Sequence, residues 1–459
     1  MSSRTAEKDV ETMLGDPRKA LVAFSIPIAV ALFVQQSNTL VDSFWVTSLG
    51  GDAMAAIGLL NPIYAVLVGA GNGLGIGAAA AIARKIGAGN REEASRTASQ
   101  SITLVLIVSA VTTPFLLIMG EPLLRLIGAG ATIDTSMQYA FPLFISTVLV
   151  IMSGVMSGIL RGEGAIRRSM YIQIMAAAVN LILDPIFIYN LGWGIAGAAW
   201  VTSMSMAVSV IMGLYWCMSG KGAYLRLKLR DMRFCASRMR DILSVGGPQS
   251  LEFAAMNVFN VGYNLCVIKV GSTDIMGLYT VSWRILYMLM IPAQAMGGAI
   301  VSACSAEFGM KRYDMIRNAY AYALKTSVSM LAVLALITGV AAGYISLVFT
   351  SGPDMQYLHD DMTLMLRILV ILIPFFGPVY VGSALLQALN RSKVALASSV
   401  IRNTVLTILF FSAAYVIGTV PSLWWAMVVG EIFGGALMGY WAYVILKDSA
   451  KKDGRSALI

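Results

Sequence analysis

Long apolar runs separated by short polar turns fill most of the chain. A helix needs about 20 apolar residues to cross the hydrocarbon layer of a membrane, and many of these runs reach that length with few or no charges. The pattern therefore predicts membrane-spanning helices. We place them near residues 20–48, 53–82, 94–119, 134–160, 168–190, 194–219, 240–270, 275–306, 316–349, 361–388, 394–419 and 421–447.

The longest polar stretch inside the chain, Lys221 to Arg240, separates the first six predicted helices from the second six. We therefore predict an N-terminal lobe over residues 1–219, a cytoplasmic linker over 220–239 and a C-terminal lobe over 240–459. The expected fold class is an all-α polytopic membrane protein of twelve transmembrane helices.

The two predicted lobes resemble each other in sequence. The segment IPIAVALF…SLGGDAMAAIGLLNPIY aligns with GGPQSLEF…KVGSTDIMGLYTVSWRILY at a shift of about 221 positions, so that Pro27 meets Pro248 and Gly50 meets Gly271. Because the same orientation recurs after six helices, the lobes are expected to be related by a pseudo-twofold axis along the membrane normal. Such a duplication favours solute transport through the interface between lobes.

The basic residues are distributed very unevenly over the predicted turns. Of the Lys and Arg residues in the turns and termini, 27 fall on the side of the N-terminus, and only Arg125 and Lys269 fall on the other side. Because Lys and Arg near helix ends remain cytoplasmic, this bias predicts a multi-pass protein of the cell membrane with both termini in the cytoplasm. It also explains the net charge of +9 without a nucleic-acid partner.

Composition points away from enzymes and metalloproteins. The chain is 58% hydrophobic and 12% charged, against roughly 45–50% and 25% in soluble domains. Its single histidine, His359, lies in a polar turn, and no HExxH motif or CxxC pair is present. We expect no enzymatic activity, no cofactor and, because the N-terminus is polar, no cleaved leader.

Ionisable residues at membrane depth are candidates for function because each costs roughly 2.5–3.5 kcal/mol on insertion scales. The predicted helices contain few of them: Asp42, Asp184, Glu252, Glu431, Glu307, Arg284, Arg367 and Arg402. Asp42 and Asp184 each lie about six residues from the outer end of their helix, which at ~1.5 Å per residue places both ~9 Å inside the outer boundary. The second lobe has no equivalent pair of acids, since Thr407 aligns with Asp184.

Polar uncharged residues accompany the two acids. Gln35 and Asn38 share a helix face with Asp42, Asn180 lies one turn before Asp184, and Thr202 reaches a similar depth. Their oxygens suit a hard cation such as Na⁺; alternatively, two buried neighbouring carboxyl groups suit uptake and release of a proton. The residues alone do not separate these chemistries, and interhelical hydrogen bonding is the plainer alternative.

Two further positions attract attention. Glu252 has no acidic counterpart in the first half and is interpreted either as a second cation-attracting or cavity residue, or as a structural partner of Arg284 or Arg402. Pro27 interrupts the hydrogen bonding of the helix that bears Asp42, which makes it a candidate hinge as well as a static kink. The alternating glycines from Gly69 to Gly77 lack a following GK[ST], so close helix packing explains them better than a phosphate loop.

Several stretches resemble the multidrug and toxic compound extrusion (MATE) transporters of archaea and bacteria. They are IPIAVALFVQQSNTLVDSFWVTSLG, AIARKIGAGN, GILRGEG, NLILDPIFIYNLGWGIAGAAWVT and SWRILYMLMIP. The resemblance covers nearly the whole chain. It implies two six-helix lobes, alternating access, and export of amphipathic, often cationic organic compounds in exchange for H⁺ or Na⁺.

By position, the resemblance assigns cation or proton coupling to Asp42, Asn180, Asp184 and Thr202, and the bending point to Pro27. The chain departs from the family at Asn38, where an aromatic residue is common, and at Arg367, where some relatives carry an acid on the same helix. We expect a monomer whose partners are small amphipathic substrates and membrane lipids. The alternative function is that of a flippase for lipids or lipid-linked oligosaccharides.

Overall fold

The computed structural model describes residues 3–219, 223–352 and 355–452, and nearly all of them are helical. In chain order the α-helices are α1 (Ser3–Leu14), α2 (Pro17–Thr47), α3 (Gly51–Gly87), α4 (Arg91–Leu126), α5 (Ile133–Ile145), α6 (Thr147–Gly162), α7 (Ile166–Pro185), α8 (Gly194–Ser219), α9 (Ala236–Val270), α10 (Thr273–Gly309), α11 (Tyr313–Thr350), α12 (His359–Leu369), α13 (Phe376–Ala388), α14 (Ser392–Ser412) and α15 (Val420–Lys452). Within the described ranges, eleven helical segments can span a membrane, and α5 with α6, bent by 51°, forms a twelfth. The predicted all-α fold of twelve spans is confirmed.

The same irregularities recur in both halves of the sequence. The fourth span breaks between α5 and α6 close to Pro142, and the tenth span changes to a 3₁₀ helix at Val370–Phe375, which contains Pro374. The fifth and eleventh spans both end in a π-helical turn, Ile186–Asn190 and Ala413–Ile417. Because these departures fall at matching positions, the duplication extends beyond helix length to the local backbone.

The turns after α3 and α10 also match. Gly89 has φ 76° and Lys311, 222 positions later, has φ 58°. A left-handed residue is a common way to end a helix, and glycine adopts that conformation without a steric cost. In the second half Lys311 adopts the same left-handed conformation, at the steric cost that a side chain brings there. The turn geometry is therefore retained without the glycine.

The N-terminal helix α1 was not predicted. Ala6, Val10 and Met13 recur at intervals of three and four residues, and all three are buried. Charged residues lie between these apolar positions, so α1 has an amphipathic pattern but no long apolar run by which it could be predicted as a membrane span. Asp16 then caps α2 by accepting a hydrogen bond from the Arg18 backbone N–H.

The described residues cluster into two compact units. The first comprises Met1–Ala254 with Val301–Met310, and the second comprises Ala255–Ile300 with Lys311–Ile459. The division into lobes at the linker 220–239 stays a prediction, since these units are drawn from contacts and not from the sequence repeat.

Small residues bring α3 close to its neighbours in the first unit. A Cβ added at Gly75 would meet the carbonyl oxygen of Gly154 in α6, and one at Gly77 would meet the carbonyl oxygen of Ile242 in α9. Ser250 in α9 also donates a hydrogen bond to the Ala70 carbonyl, with an oxygen–oxygen distance of 3.3 Å. The alternating glycines therefore serve backbone-to-backbone helix packing.

The described part of the polar connection before α9 packs on the first unit. The buried side chain of Gln100 in α4 donates to the carbonyls of Asp231 and Arg233 and accepts from the Cys235 backbone N–H. Glu163, which ends α6, accepts a 2.9 Å hydrogen bond from the Leu225 backbone N–H. Buried side chains thus satisfy the backbone polar groups of this irregular segment.

Candidate coupling site

A polar cluster joins α2 and α7 within the first unit. The Asn38 side-chain nitrogen donates to the Asn180 side-chain oxygen at 2.7 Å. The same nitrogen lies 3.4 and 3.3 Å from the two carboxylate oxygens of Asp42, one turn further along α2. Asn38 therefore links the acid of one helix to the amide of another.

Asp184 completes this cluster from α7. It lies one helical turn after Asn180, and each of the two residues is only 3% exposed. Helix α2 packs against α7, and the Asn38 amide joins Asp42 to Asn180, the residue one turn before Asp184. The structure thus brings together two acids that are 142 positions apart in the sequence.

One oxygen of the pair lacks a partner. Among the described residues, nothing donates a hydrogen bond to the buried Oδ1 of Asp184. Leaving a buried polar atom unsatisfied costs roughly 1–3 kcal/mol, and more for a charged group. A proton or a monovalent cation bound between the carboxyl groups would remove that cost, so the donor set fits either one.

Thr202 and Gln35 are placed differently. The Thr202 hydroxyl in α8 donates to the Ala198 carbonyl of its own helix at 3.0 Å, which leaves its oxygen lone pairs for an incoming cation. The Gln35 side chain is exposed, and its backbone carbonyl accepts a hydrogen bond from Thr39. Sharing a helix face with Asp42 does not bring Gln35 into the hydrogen bonds of Asn38.

Pro27 and Glu252 lie outside the polar cluster. Pro27 is buried within α2, fifteen residues before Asp42, which corresponds to about four helical turns. Glu252 is buried in α9 and groups with the first unit, next to Phe253, which packs against Gly69 of α3. Glu252 therefore lies where α9 contacts α3.

Two tyrosines near the acids escaped the sequence analysis. Tyr64 of α3 interacts electrostatically with Asp42, and Tyr139 of α5 interacts with Asp42 and Asp184. Both are half-buried. The alignment of the halves marks neither of them, because at a shift of 221 positions Tyr64 meets Ile285 and not another tyrosine.

The second unit carries a different charged group. Arg402 of α14 donates to Glu431 of α15 at 3.4 Å, and both side chains are 6% exposed. The sequence suggested Glu252 as one possible partner of Arg402. The carboxylate that pairs with Arg402 in the structure is that of Glu431. The two membrane-depth acid groups, Asp42 with Asp184 and Glu431 with its arginine, therefore differ in charge.

The described residues contain no group of three or more His, Cys, Asp or Glu side chains arranged to hold a metal ion. Amide and hydroxyl oxygens, which are typical ligands of alkali cations, are present at Asn180 and Thr202. The chemistry available to Asp42, Asn180, Asp184 and Thr202 is thus that of hard oxygen donors and of a shared proton.

Comparison with known proteins gives a consistent family. The MatE family profile matches residues 27–186 and 248–411, one match in each half. The multidrug export protein MepA of Staphylococcus haemolyticus (strain JCSC1435) is 24% identical over 413 residues, which cover 88% of this chain and 89% of that protein.

Solved structures are similar over almost the full length. The crystal structure of a MATE protein in complex with MaL6 is 30% identical, with a TM-score of 0.93 and coverage of 97% of this chain and 99% of that one. A MOP superfamily transporter from Pyrococcus furiosus, in which reverse polarity of the binding pocket suggests a different function, matches with 30% identity, a TM-score of 0.92 and the same coverage. The chain therefore belongs to the MatE family and is a multi-pass membrane transporter, as the sequence motifs predicted, and not an enzyme.

Proposed function

We propose that this transporter exports amphipathic organic compounds in exchange for H⁺ or Na⁺, and that Asp42 and Asp184 bind the coupling ion. The curated relatives are multidrug export proteins, which supports the substrate class. The observation that carries the coupling role is the Asn38 amide, which joins Asp42 to Asn180, one turn before Asp184.

The acids suit coupling because their charge is poorly compensated. Among the described residues, Asp42 accepts from the neutral Asn38 amide, and the Oδ1 atom of Asp184 has no donor. Binding one positive charge lowers the cost of keeping two acids together, so the empty and loaded forms differ in free energy. A conformational change coupled to that difference would transport the ion and the substrate in opposite directions.

Na⁺ and H⁺ would use the site differently. Na⁺ would take oxygens from Asp42, Asp184, Asn180 and Thr202, and the Asn180 oxygen can do so while it accepts the 2.7 Å hydrogen bond from Asn38, because an amide oxygen has two lone pairs. A proton needs only the two carboxyl groups and leaves the amide bond intact. The Asn38–Asn180 hydrogen bond is compatible with both ions, so both gradients are tested.

The remaining parts of the proposal concern movement and orientation. Pro27 removes one backbone hydrogen bond from α2 and can act as the hinge of alternating access, since it lies on the helix that carries Asp42. The loop-charge bias supports a location in the cell membrane with both termini in the cytoplasm.

The deciding experiment is transport in proteoliposomes that contain the purified protein. Flux of a cationic fluorescent dye is measured under a pH gradient, then under a Na⁺ gradient, and then with neither. We expect one gradient to drive dye flux and the Asp42→Asn variant to abolish that response. Equal flux without either gradient would refute ion coupling, and lipid headgroup translocation under that condition would instead support the flippase.

A further inference from the structure

The second unit contains a cavity of about 290 Å³, separate from the acid pair. Its aromatic lining residues are Tyr263, Tyr279, Trp283, Tyr287, Phe376 and Tyr380. Within the lining, the Trp283 ring lies 6.2 Å from the Tyr279 ring and 5.5 Å from the Tyr287 ring, measured between centroids. Such a run of ring faces and edges suits the packing of a flat aromatic ligand.

The cavity carries a net positive charge. Its charged lining residues are Arg284, Arg402 and Glu431. Arg402 and Glu431 pair with each other at 3.4 Å and neutralise one another. Among the described residues no carboxylate lies within ion-pair distance of Arg284, so the uncompensated charge is its guanidinium.

An arginine without a carboxylate partner at membrane depth is costly, and such residues usually face a cavity and meet a counter-charge there. Arg284 is the twelfth residue of α10, about 16 Å from the start of that helix. It follows Trp283 directly, so the cationic group and the aromatic lining belong to one segment of one helix.

We propose that this cavity binds an aromatic organic anion, with its ring packed against the Trp283 and Tyr287 rings and its carboxylate paired with Arg284. A guanidinium binds a carboxylate through two parallel hydrogen bonds, which fixes the orientation of the ligand as well as its charge. An organic cation finds no equivalent partner, because Glu431 is engaged by Arg402. The inference rests on the proposed export function and adds anionic aromatic compounds to its substrate class.

Three probes with one ring system test the charge preference. They are 2-naphthoate, its neutral methyl ester and 2-naphthylmethylammonium, and their binding to the full-length protein in detergent is measured by calorimetry. We expect naphthoate to bind at least about tenfold more tightly than the ester or the ammonium, since a hydrogen bond between two charged groups is roughly twice as strong as one between neutral groups.

Variants locate the site. Arg284→Gln is expected to reduce naphthoate affinity at least about tenfold and to leave ester affinity unchanged. Arg284→Lys retains part of the preference, because lysine keeps the charge but loses the bidentate geometry. The matched control is Arg367→Gln, which removes an exposed arginine of α12 that does not line this cavity and should bind naphthoate normally.

The proposal is overturned if naphthoate does not bind, if it binds no better than the ester, or if Arg367→Gln weakens it as much as Arg284→Gln does. Size-exclusion profiles establish that the variants are folded. If Arg284→Gln aggregates, the test is whether Arg284→Lys binds naphthoate more weakly than the parent protein and still more tightly than the ester. Failure of naphthoate binding beside intact ion-driven dye export overturns this inference alone. Bound naphthoate beside absent ion-driven export overturns the proposed antiport instead.

Discussion

The side-chain nitrogen of Asn38 lies 2.7 Å from the side-chain oxygen of Asn180, which joins the first membrane helix to the fifth beside two acids. Because Asn38 also approaches both carboxylate oxygens of Asp42, its amide links that acid to α7. This connection makes Asn38 as testable as the acids themselves.

Replacing either acid should uncouple transport. In Asp42→Asn and Asp184→Asn, we expect ion-driven dye export to fall at least about tenfold, since each variant removes one charged ligand or proton acceptor worth roughly 1.5–3 kcal/mol. The measurement is flux in proteoliposomes under the active gradient. Asp134→Asn, which alters an exposed acid at the start of α5, serves as the control and should transport normally. Full activity in both test variants would refute the coupling role.

Removing the amide bridge should weaken ion binding without abolishing it. Asn38→Ala is expected to raise the ion concentration for half-maximal transport by about tenfold, in line with the loss of one hydrogen bond to a charged group. Gln35→Ala, one turn earlier on the same helix, should behave like the parent protein because its side chain is exposed. An equal effect of the two variants would contradict a specific role of the Asn38 hydrogen bonds in ion binding.

Close packing of α3 predicts opposite effects for two glycines in that helix. In Gly75→Ala the new Cβ meets the Gly154 carbonyl oxygen, and we expect a loss of stability of about 1–3 kcal/mol from overpacking. In Gly58→Ala nothing lies within 4 Å of the new Cβ, so the helix should gain about 0.5–1 kcal/mol. Thermal unfolding in detergent, followed by tryptophan fluorescence, distinguishes them. Similar melting temperatures would contradict the packing argument.

Replacing one member of the buried ion pair of the second unit should destabilise the protein, whereas replacing both members should not. Glu431→Leu leaves the Arg402 charge buried, at an expected cost of about 3–5 kcal/mol. Combining it with Arg402→Met removes both charges and should restore most of the stability. The check is a double-mutant cycle of melting temperatures. Additive losses in the double variant would indicate that Arg402 and Glu431 act independently.

The turn after α6 predicts a pH-dependent stability. Burial raises the pKa of Glu163 to about 7, although the Leu225 backbone N–H and Arg168 lower it and Asp9 raises it slightly. A raised folded pKa favours the protonated protein, so this stabilisation is complete below the ordinary pKa of 4.5 and is lost as pH rises through about 7. At about 1.4 kcal/mol per pKa unit the loss approaches ~3 kcal/mol.

Glu163→Gln tests this expectation, since the amide oxygen can still accept the hydrogen bond from Leu225. The variant should melt at a temperature progressively higher than that of the parent protein between pH 5 and pH 8. The control is the same substitution at an exposed glutamate, Glu121→Gln, whose melting temperature should differ from that of the parent protein by an amount that does not change with pH. A parent-minus-variant difference that does not change with pH would argue against a protonated Glu163.

Much of the architecture was predictable because the membrane imposes a strong and local rule. A helix must be about 20 apolar residues long to cross it, so apolar length predicted the twelve spans. It did not give their exact ends, since the third span was predicted to end at residue 119 and α4 ends at Leu126. Helix α1 escaped because its apolar positions, Ala6, Val10 and Met13, are dispersed among charges.

The candidate site was predictable only in part. Depth along a helix follows from residue counts, which predict that Asp42 and Asp184 lie at one level. Residue counts do not show which direction a side chain faces around the helix axis or which helix it contacts, since both depend on how the helices pack. Tyr64 and Tyr139 were missed for that reason.

By itself, then, the sequence of this protein determined which segments enter the membrane, how the halves repeat and which acids those segments carry, because the membrane rule acts on local segments transferred from water to lipid. Only the tertiary structure decided that Asn38 contacts Asn180, that Gln35 stays exposed and that Glu431 pairs with Arg402. Those contacts join residues 29 or more positions apart, and their geometry is set by helix packing that no local pattern encodes.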